Sequence, residues 1–275
     1  MIRKIILVLF FSLFYSSISA CSIVYYIDSA TGKIYAANNE DYWSNNQKDI
    51  KDYMQIIPEK KDEYGRLWYG WDKFAQGGVN SKGLFFDGAV TPEQVIPAGF
   101  KNPNGRNIGD ELLAHCSTVD EALEYLEKQK IAVSKGHLLF GDATGNAVIL
   151  EWVDGETKII KIQDNVLIAT NFLESKKEAG GYPCYRYDSI EERVNNLKKD
   201  EEPIDFRKFG NVIGGAVQPV RMVGDKEAGT LYSSFVNITD IEFVLVPKLD
   251  SSKAISLDLK KEFKTGKKRK IKLTE

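Results

Sequence analysis

Histidine is almost missing from this chain: of 275 residues, only His115 and His137 carry an imidazole. A Ser-His-Asp or Cys-His centre needs a histidine poised as base. Both histidines sit in segments that read as structural, so that chemistry has little support. No histidine–cysteine cluster has the spacing of metal ligands. Cysteine is scarce as well. Cys21, Cys116 and Cys184 make an odd count, which excludes a disulfide scaffold and leaves at least one thiol free or linked elsewhere. A Cys116–Cys184 bridge stays open. Positive charge is not in excess: the formal net charge of −2 argues against a nucleic-acid or broadly anionic partner. The glycine-rich stretch from Gly77 lacks the Gly-x-x-x-x-Gly-Lys-[Ser/Thr] spacing of a phosphate loop. There is no internal repeat. With no metal or cofactor motif, the chemistry is expected to rest on side chains alone.

What the chain does have is an export signal that ends at a cysteine. Arg3 and Lys4 form a positive n-region, and Ile5 to Tyr15 an apolar stretch too short to span a bilayer. Ser16-Ser17-Ile18-Ser19-Ala20 supplies the small residues of a cleavage site. Removal of residues 1–20 leaves a single domain, 21–275, secreted or periplasmic, with Cys21 at its N-terminus. A cysteine there carries thiol and α-amine on one residue, so nucleophile and general base come together. The α-amine titrates at roughly pH 8, and the thiolate is the attacking species. The junction Ile18-Ser19-Ala20-Cys21 also resembles a bacterial lipobox. Lipidation would tie the chain to a membrane and destroy the base. A strand-like run begins directly after Cys21 with no flexible tether, which favours the free cysteine.

Residues 22–28 and 33–39 are rich in β-branched and aromatic residues and flank Ser29-Ala30-Thr31-Gly32, a pattern that predicts a β-hairpin. Its second strand ends Asn38-Asn39-Glu40-Asp41. The hairpin returns Asp41 towards Cys21, where it can hold the amine or thiol, or else cap a turn. Residues 44–63 read as a surface loop. Tyr64, Leu67, Trp68, Tyr69, Trp71 and Phe74 are an aromatic cluster, either a core strand or the lining of an apolar acyl pocket, with Trp68 and Trp71 as candidate substrate contacts. Periodicity predicts helices over 107–115, 118–129, about 188–200 and 203–216, and strands over 137–141, 146–152, 157–162, 166–170, 230–236 and 241–247. Asn171 stands at a strand end, where its amide can face a developing oxyanion. Arg186 opens the charged helix. The tail from Lys260 reads as a solvated basic end. Helices between runs of strands make the class α+β.

Taken in order, these pieces resemble the linear amide C–N hydrolases of the N-terminal-nucleophile superfamily: choloylglycine hydrolases, penicillin V acylases and their acyltransferase relatives. Asn39-Glu40-Asp41-Tyr42-Trp43 is similar to that family's Arg-Asn-x-Asp-Trp strand end. Gly78-Val79-Asn80-Ser81-Lys82-Gly83-Leu84 is similar to its Gly-Met-Asn-Glu-Lys-Gly-Leu segment. Val148-Ile149-Leu150-Glu151, Thr170-Asn171, Tyr185-Arg186-Tyr187 and Thr230-Leu231-Tyr232-Ser233-Ser234 follow in the family's order.

The resemblance implies a four-layer αββα sandwich and an exported amidohydrolase acting on a small N-acyl amide of the bile-salt, penicillin V or N-acyl-amino-acid type. It implies Cys21 as nucleophile, Asp41 as holder of its amine or thiol, and Asn171 with the backbone N–H near Val90 as oxyanion donors. Arg186 would be the electrostatic residue beside the nucleophile. No cofactor or metal is implied. Asn38 stands where the family has a substrate-gripping, thiolate-favouring arginine, which leaves both roles unfilled. A lipid-anchored binding protein, an inactive scaffold and an acyltransferase are the competing readings. Membrane contact follows only if Cys21 is lipidated, and a homo-oligomer stays open.

Overall fold

Strand pairing starts one residue after Cys21. The computed structural model describes residues 21–44, 52–71, 73–200, 202–223 and 226–273. The export signal read over 1–20 lies outside them. The hairpin forms as β1 (Ser22–Ile27) and β2 (Ile34–Ser44). Four strands follow: β3 (Asp52–Ile57), β4 (Arg66–Trp71), β5 (Phe74–Asn80) and β6 (Phe85–Val90). The chain then makes two helices, α1 (Ile108–His115) and α2 (Val119–Gln129). Strands β7 (Gly136–Gly141), β8 (Ala147–Val153), β9 (Glu156–Lys161) and β10 (Val166–Ala169) come next. The second helix pair is α3 (Tyr185–Leu197) and α4 (Phe206–Gly214). The C-terminal part comprises β11 (Arg221–Val223), β12 (Lys226–Asn237), β13 (Glu242–Pro247), β14 (Ile255–Asp258), a short α5 (Leu259–Glu262) and β15 (Arg269–Lys272).

Two antiparallel sheets result. The first has the order β10-β1-β2-β12-β13-β14, with β11 on β12; the second runs β15-β3-β4-β5-β6-β7-β8-β9. Side chains alternate across each strand, and the alternation sorts the apolar residues into three cores. Ile23, Tyr25 and Ala36 of the first sheet meet Leu67, Tyr69, Val79, Phe85 and Ile149 of the second in the central core. Trp68, Phe86, Phe140 and Leu150 face the other way, against Leu112, Leu113, Ala122 and Leu126 of α1 and α2. Val24, Tyr26, Tyr35 and Ala37 pack against Ile190, Val194, Phe209 and Val212 of α3 and α4. The layers are therefore helix, sheet, sheet, helix, as expected.

Local chemistry fixes the joints. Thr118 caps α2 through Glu121 N–H, and Asn107 caps α1 through Asp110 N–H. The buried Asn80 donates to the Leu113 and Cys116 carbonyls, at 2.9 and 2.7 Å, satisfying the end of α1. Its Oδ1 accepts from Lys82 and Leu84 N–H, so the same side chain folds the β5–β6 turn. Gly83 in that turn has φ +85°, a conformation that excludes most L side chains. The Asn80-to-Leu84 motif is thus structural.

Three expectations need correction. The 44–63 loop contains β3: Met54 and Ile56 point into the central core, while Ile57 joins the core beneath α1 and α2. The tail from Lys260 is folded, with α5 followed by β15, which pairs with β3 and closes that edge of the second sheet. A Cys116–Cys184 bridge is ruled out, since Cys116 lies in the layer of α1 and α2 and Cys184 precedes α3 on the far side. All three cysteines are free and buried.

Candidate active site

Cys21 enters the first sheet between β10 and β2 and turns its side chain into the central core, where it is 1 % exposed. The hairpin register pairs Ser22 with Asn39, which sets Cys21 opposite Glu40 on the same interior face. Accordingly the Cys21 thiol donates to Glu40 Oε1 across 3.5 Å, a long contact suited to sulfur. The residue the sequence reading had chosen, Asp41, points to the other face. Its Oδ1 accepts from Thr230 Oγ1 at 2.5 Å, while its backbone N–H is the group turned to the thiol. Burial raises the Asp41 carboxyl to about 7, against the lowering pull of Thr230 and of the nearby Arg186 charge. Asn39, just before the two acids, fastens α4 to the sheet: it donates to the Ile213 carbonyl and accepts from Ser233 Oγ.

Arg186 ties the site together. It lies in the first turn of α3, 6 % exposed. One nitrogen, Nη1, donates to the Cys21 carbonyl at 2.7 Å and to Ser22 Oγ at 3.0 Å; the other, Nη2, donates to Asn171 Oδ1 at 2.9 Å. The planar fork spans two partners that an ammonium could not. With its oxygen held, Asn171 is oriented, and its Nδ2 donates to the Val90 carbonyl at 2.8 Å. An amide NH₂ has two donors, so one N–H remains for another acceptor. Cys21, Arg186, Asn171 and Val90 thus form one connected chain of contacts.

The loop after Asn171 is anchored from below. Glu151 Oε1 accepts from Glu174 N–H, and its Oε2 accepts from Ser175 N–H and Oγ. His137 Nδ1 lies 3.0 Å from the same Glu151 Oε1, both side chains fully buried. His137 therefore acts structurally, by steadying the carboxylate that holds this loop.

A second group of acids lies across the interior. Asp87, on β6 between Phe85 and Ala89, is fully buried, and Tyr69 O–H donates to its Oδ2 at 2.7 Å. Gly77 is glycine for a physical reason: a Cβ there would run into the Asp87 carboxyl and the Tyr69 ring. Burial, then the Asp87 charge, pushes the Glu40 carboxyl well above the usual carboxylate range. Burial, then Glu40, Asp41 and Asp87, pushes the Cys21 thiol well up.

The two tryptophans part company. Trp71 stacks on Phe74, with ring centroids 5.1 Å apart, and lines an apolar cavity of about 590 Å³ between the second sheet and its helices. Ile108, Leu112, Leu126 and Leu138 line it too, and Val90 stands in its wall. Trp68 is in the core beneath α1, because it alternates with the inward-facing Tyr69, and it lines no such wall. Asn38 is fully buried on the interior face, away from that cavity. Among the described residues, no group of three or more His, Cys, Asp or Glu is placed to hold a metal ion.

The sequence reading passed over Glu40 and Asp87. Both signals were present: the hairpin register places residue 40 opposite residue 21, and Asp87 is a lone acid in the strongly apolar run from Leu84 to Val90.

Comparison with known proteins bears on the family and the fold. Residues 29–243 match the family model of acyl-coenzyme A:6-aminopenicillanic acid acyl-transferase. Penicillin V acylase from Agrobacterium tumefaciens superposes with a TM-score of 0.65 and 20 % identity, covering 91 % of this chain and 90 % of that one. Two variants of conjugated bile acid hydrolase from Clostridium perfringens give TM-scores of 0.66 and 0.67, at 15 % and 16 % identity, each covering 92 % of this chain and 97 % of the other. These likenesses establish the N-terminal-nucleophile hydrolase fold. No curated protein sequence matches significantly.

Proposed function

The chain belongs to the acyl-coenzyme A:6-aminopenicillanic acid acyl-transferase family, and on that premise we propose that it is exported, cleaved after Ala20, and acts as an N-terminal-cysteine hydrolase of a linear amide. The observation that supports this reading is Arg186, which joins the Cys21 carbonyl to the Asn171 side chain and so ties the proposed nucleophile's backbone to the proposed amide donor. In the uncleaved chain the thiol is buried among acids and held neutral. A freed α-ammonium on the same residue adds a positive charge close to the sulfur and favours the thiolate.

The reaction then runs in two halves. The α-amine takes the thiol proton and becomes the α-ammonium, sulfur bonds to the acyl carbon, and the carbonyl electron pair moves to oxygen. The spare N–H of Asn171 and a backbone N–H near Val90 meet that oxyanion. The α-ammonium gives a proton to the leaving nitrogen as the C–N bond breaks. Water next attacks the thioester and passes a proton to the α-amine, and the C–S bond breaks. Asp41, half-ionised near neutrality, holds the amine between these transfers. The substrate class is an N-acyl amide with an apolar acyl group, for which the cavity at Val90 and Trp71 offers room.

An acyltransferase uses the same site when an acceptor amine outcompetes water, and the family's own description favours testing for it.

The test is the intact mass and N-terminal sequence of the exported protein, followed by turnover of N-acyl amides with and without an acceptor amine. A free Cys21 terminus and amide cleavage are expected. A lipidated Cys21, or a terminus elsewhere, would overturn the reading. Replacing Asn171 by Ala should lower kcat by about 10²- to 10³-fold, the loss typical of one oxyanion donor. A kcat within threefold of wild type would remove Asn171 from that role.

A further inference from the structure

Glu40 has no part in the reaction as written above, yet it is the side chain in contact with the reacting sulfur. Its Oε1 lies 3.5 Å from Cys21 Sγ, and its Oε2 is buried with no hydrogen-bond partner. Across the interior stands Asp87, also fully buried, with Tyr69 O–H and its own Gly88 N–H as donors. Two carboxyl groups enclosed together in a core raise each other's proton affinity and do not both stay ionised. Asn38, in the place of the family's arginine, brings no positive charge to this face. Asp41 is a third acid near the thiol, and its carboxyl faces away to Thr230. Arg186 reaches Cys21 at its carbonyl, from the helix side.

We propose that Glu40 is a catalytic residue: its carboxylate, backed by Asp87, takes the Cys21 thiol proton as the sulfur–carbon bond forms, and returns it when the thioester breaks. The inference rests on the hydrolase reading above. The S–H bond breaks and an O–H bond forms on Glu40; the α-ammonium still supplies the leaving nitrogen. In the second half, water's proton goes to the α-amine and the Glu40 proton returns to the departing thiolate. Amide and water become acid and amine, with nothing left over. An arginine in this place stabilises a thiolate by charge; here an acid accepts the proton instead. Burial serves the exchange, since it lifts the proton affinity of the carboxylate towards that of the thiol.

The test uses the exported, processed protein and needs no substrate. Iodoacetamide labelling of Cys21, read by peptide mass, is followed from pH 5 to 10 in the wild type, Glu40→Gln and Asp87→Asn. Wild type should label in two pH steps, because carboxylate and thiol titrate as a coupled pair. Glu40→Gln, which keeps the shape, should collapse these to one step at lower pH and label about tenfold faster at pH 7, since a negative neighbour is gone. Asp87→Asn should shift the profile the same way by less. In parallel, Glu40→Gln should lose at least about tenfold in amide turnover, so that labelling rises as catalysis falls. Labelling profiles within threefold of wild type in both variants would overturn the proposal, as would a Glu40→Gln protein with undiminished turnover. The mass of the same sample separates this from the broader reading: a chain not starting at Cys21 ends the hydrolase mechanism, while the labelling profile still reports on Glu40.

Discussion

Replacing Cys21 by Ala should reduce amide turnover by about 10⁵- to 10⁶-fold, the scale at which removal of an activated nucleophile leaves only binding and oxyanion contacts. The fold should survive. Alanine fills part of a site walled by Ile23, Glu40 and the second sheet, and the Arg186 contact is to the backbone carbonyl, which alanine retains. Cys21→Ser should keep the same contacts yet leave only a trace of activity. An alcohol is far less acidic than a thiol, and the surrounding acids disfavour its ionisation further. Steady-state kinetics on the substrate found in the amide screen, with circular dichroism as the folding control, decide both. Full turnover in the alanine variant would refute the nucleophile.

Arg186→Leu should cost more in stability than any other single change at the site. The guanidinium is buried and serves the Cys21 carbonyl, Ser22 Oγ and Asn171 Oδ1 at once. Leucine leaves those acceptors in the interior without donors, at about 1–3 kcal/mol each. It also removes the charge that lowers the Asp41 carboxyl from where burial alone would put it. A loss of about 3 kcal/mol, or roughly 6–12 °C in Tm, is expected. Arg186→Lys restores the charge but cannot span both partners, so it should recover Tm in part and leave kcat low. Thermal melts with kinetics on both variants test this. If the lysine variant recovers kcat fully, the two-pronged geometry is irrelevant and only the charge matters.

How much of this was legible in the sequence depended on which physical signal each residue carries. The hairpin of β1 and β2, the capped helices α1 and α2, and the strands β7 to β10 were readable, because their apolar periods and turn residues agree with their final environment. Cys21, Asn171, Arg186 and Val90 were named in advance and lie along one set of contacts. The misses came where side chains are sorted by face. Trp68 and Trp71 look alike in a string, but Trp68 goes under α1 while Trp71 lines the cavity wall. Asp41 was named because it stands at the family's acidic position; strand alternation sets Glu40, which that reading did not weigh, opposite the thiol. β15 was hidden because Ile271 is its sole apolar residue and the rest are basic, whereas β3 was obscured by the charged stretches on either side of it, although Tyr53, Met54, Ile56 and Ile57 are all buried.

The pairing of β2 with β12 sets a timetable. Asp41 waits for Thr230, Cys21 waits for Arg186, and Asn39 waits for Ile213 and Ser233. The first residue of the proposed site is therefore made some two hundred positions before the last of its partners. A chain interrupted during synthesis or translocation carries the thiol but no machinery to sharpen it. Such long-range pairing slows folding. Until those later segments are made, Cys21 lacks the Arg186 contact that ties it to Asn171.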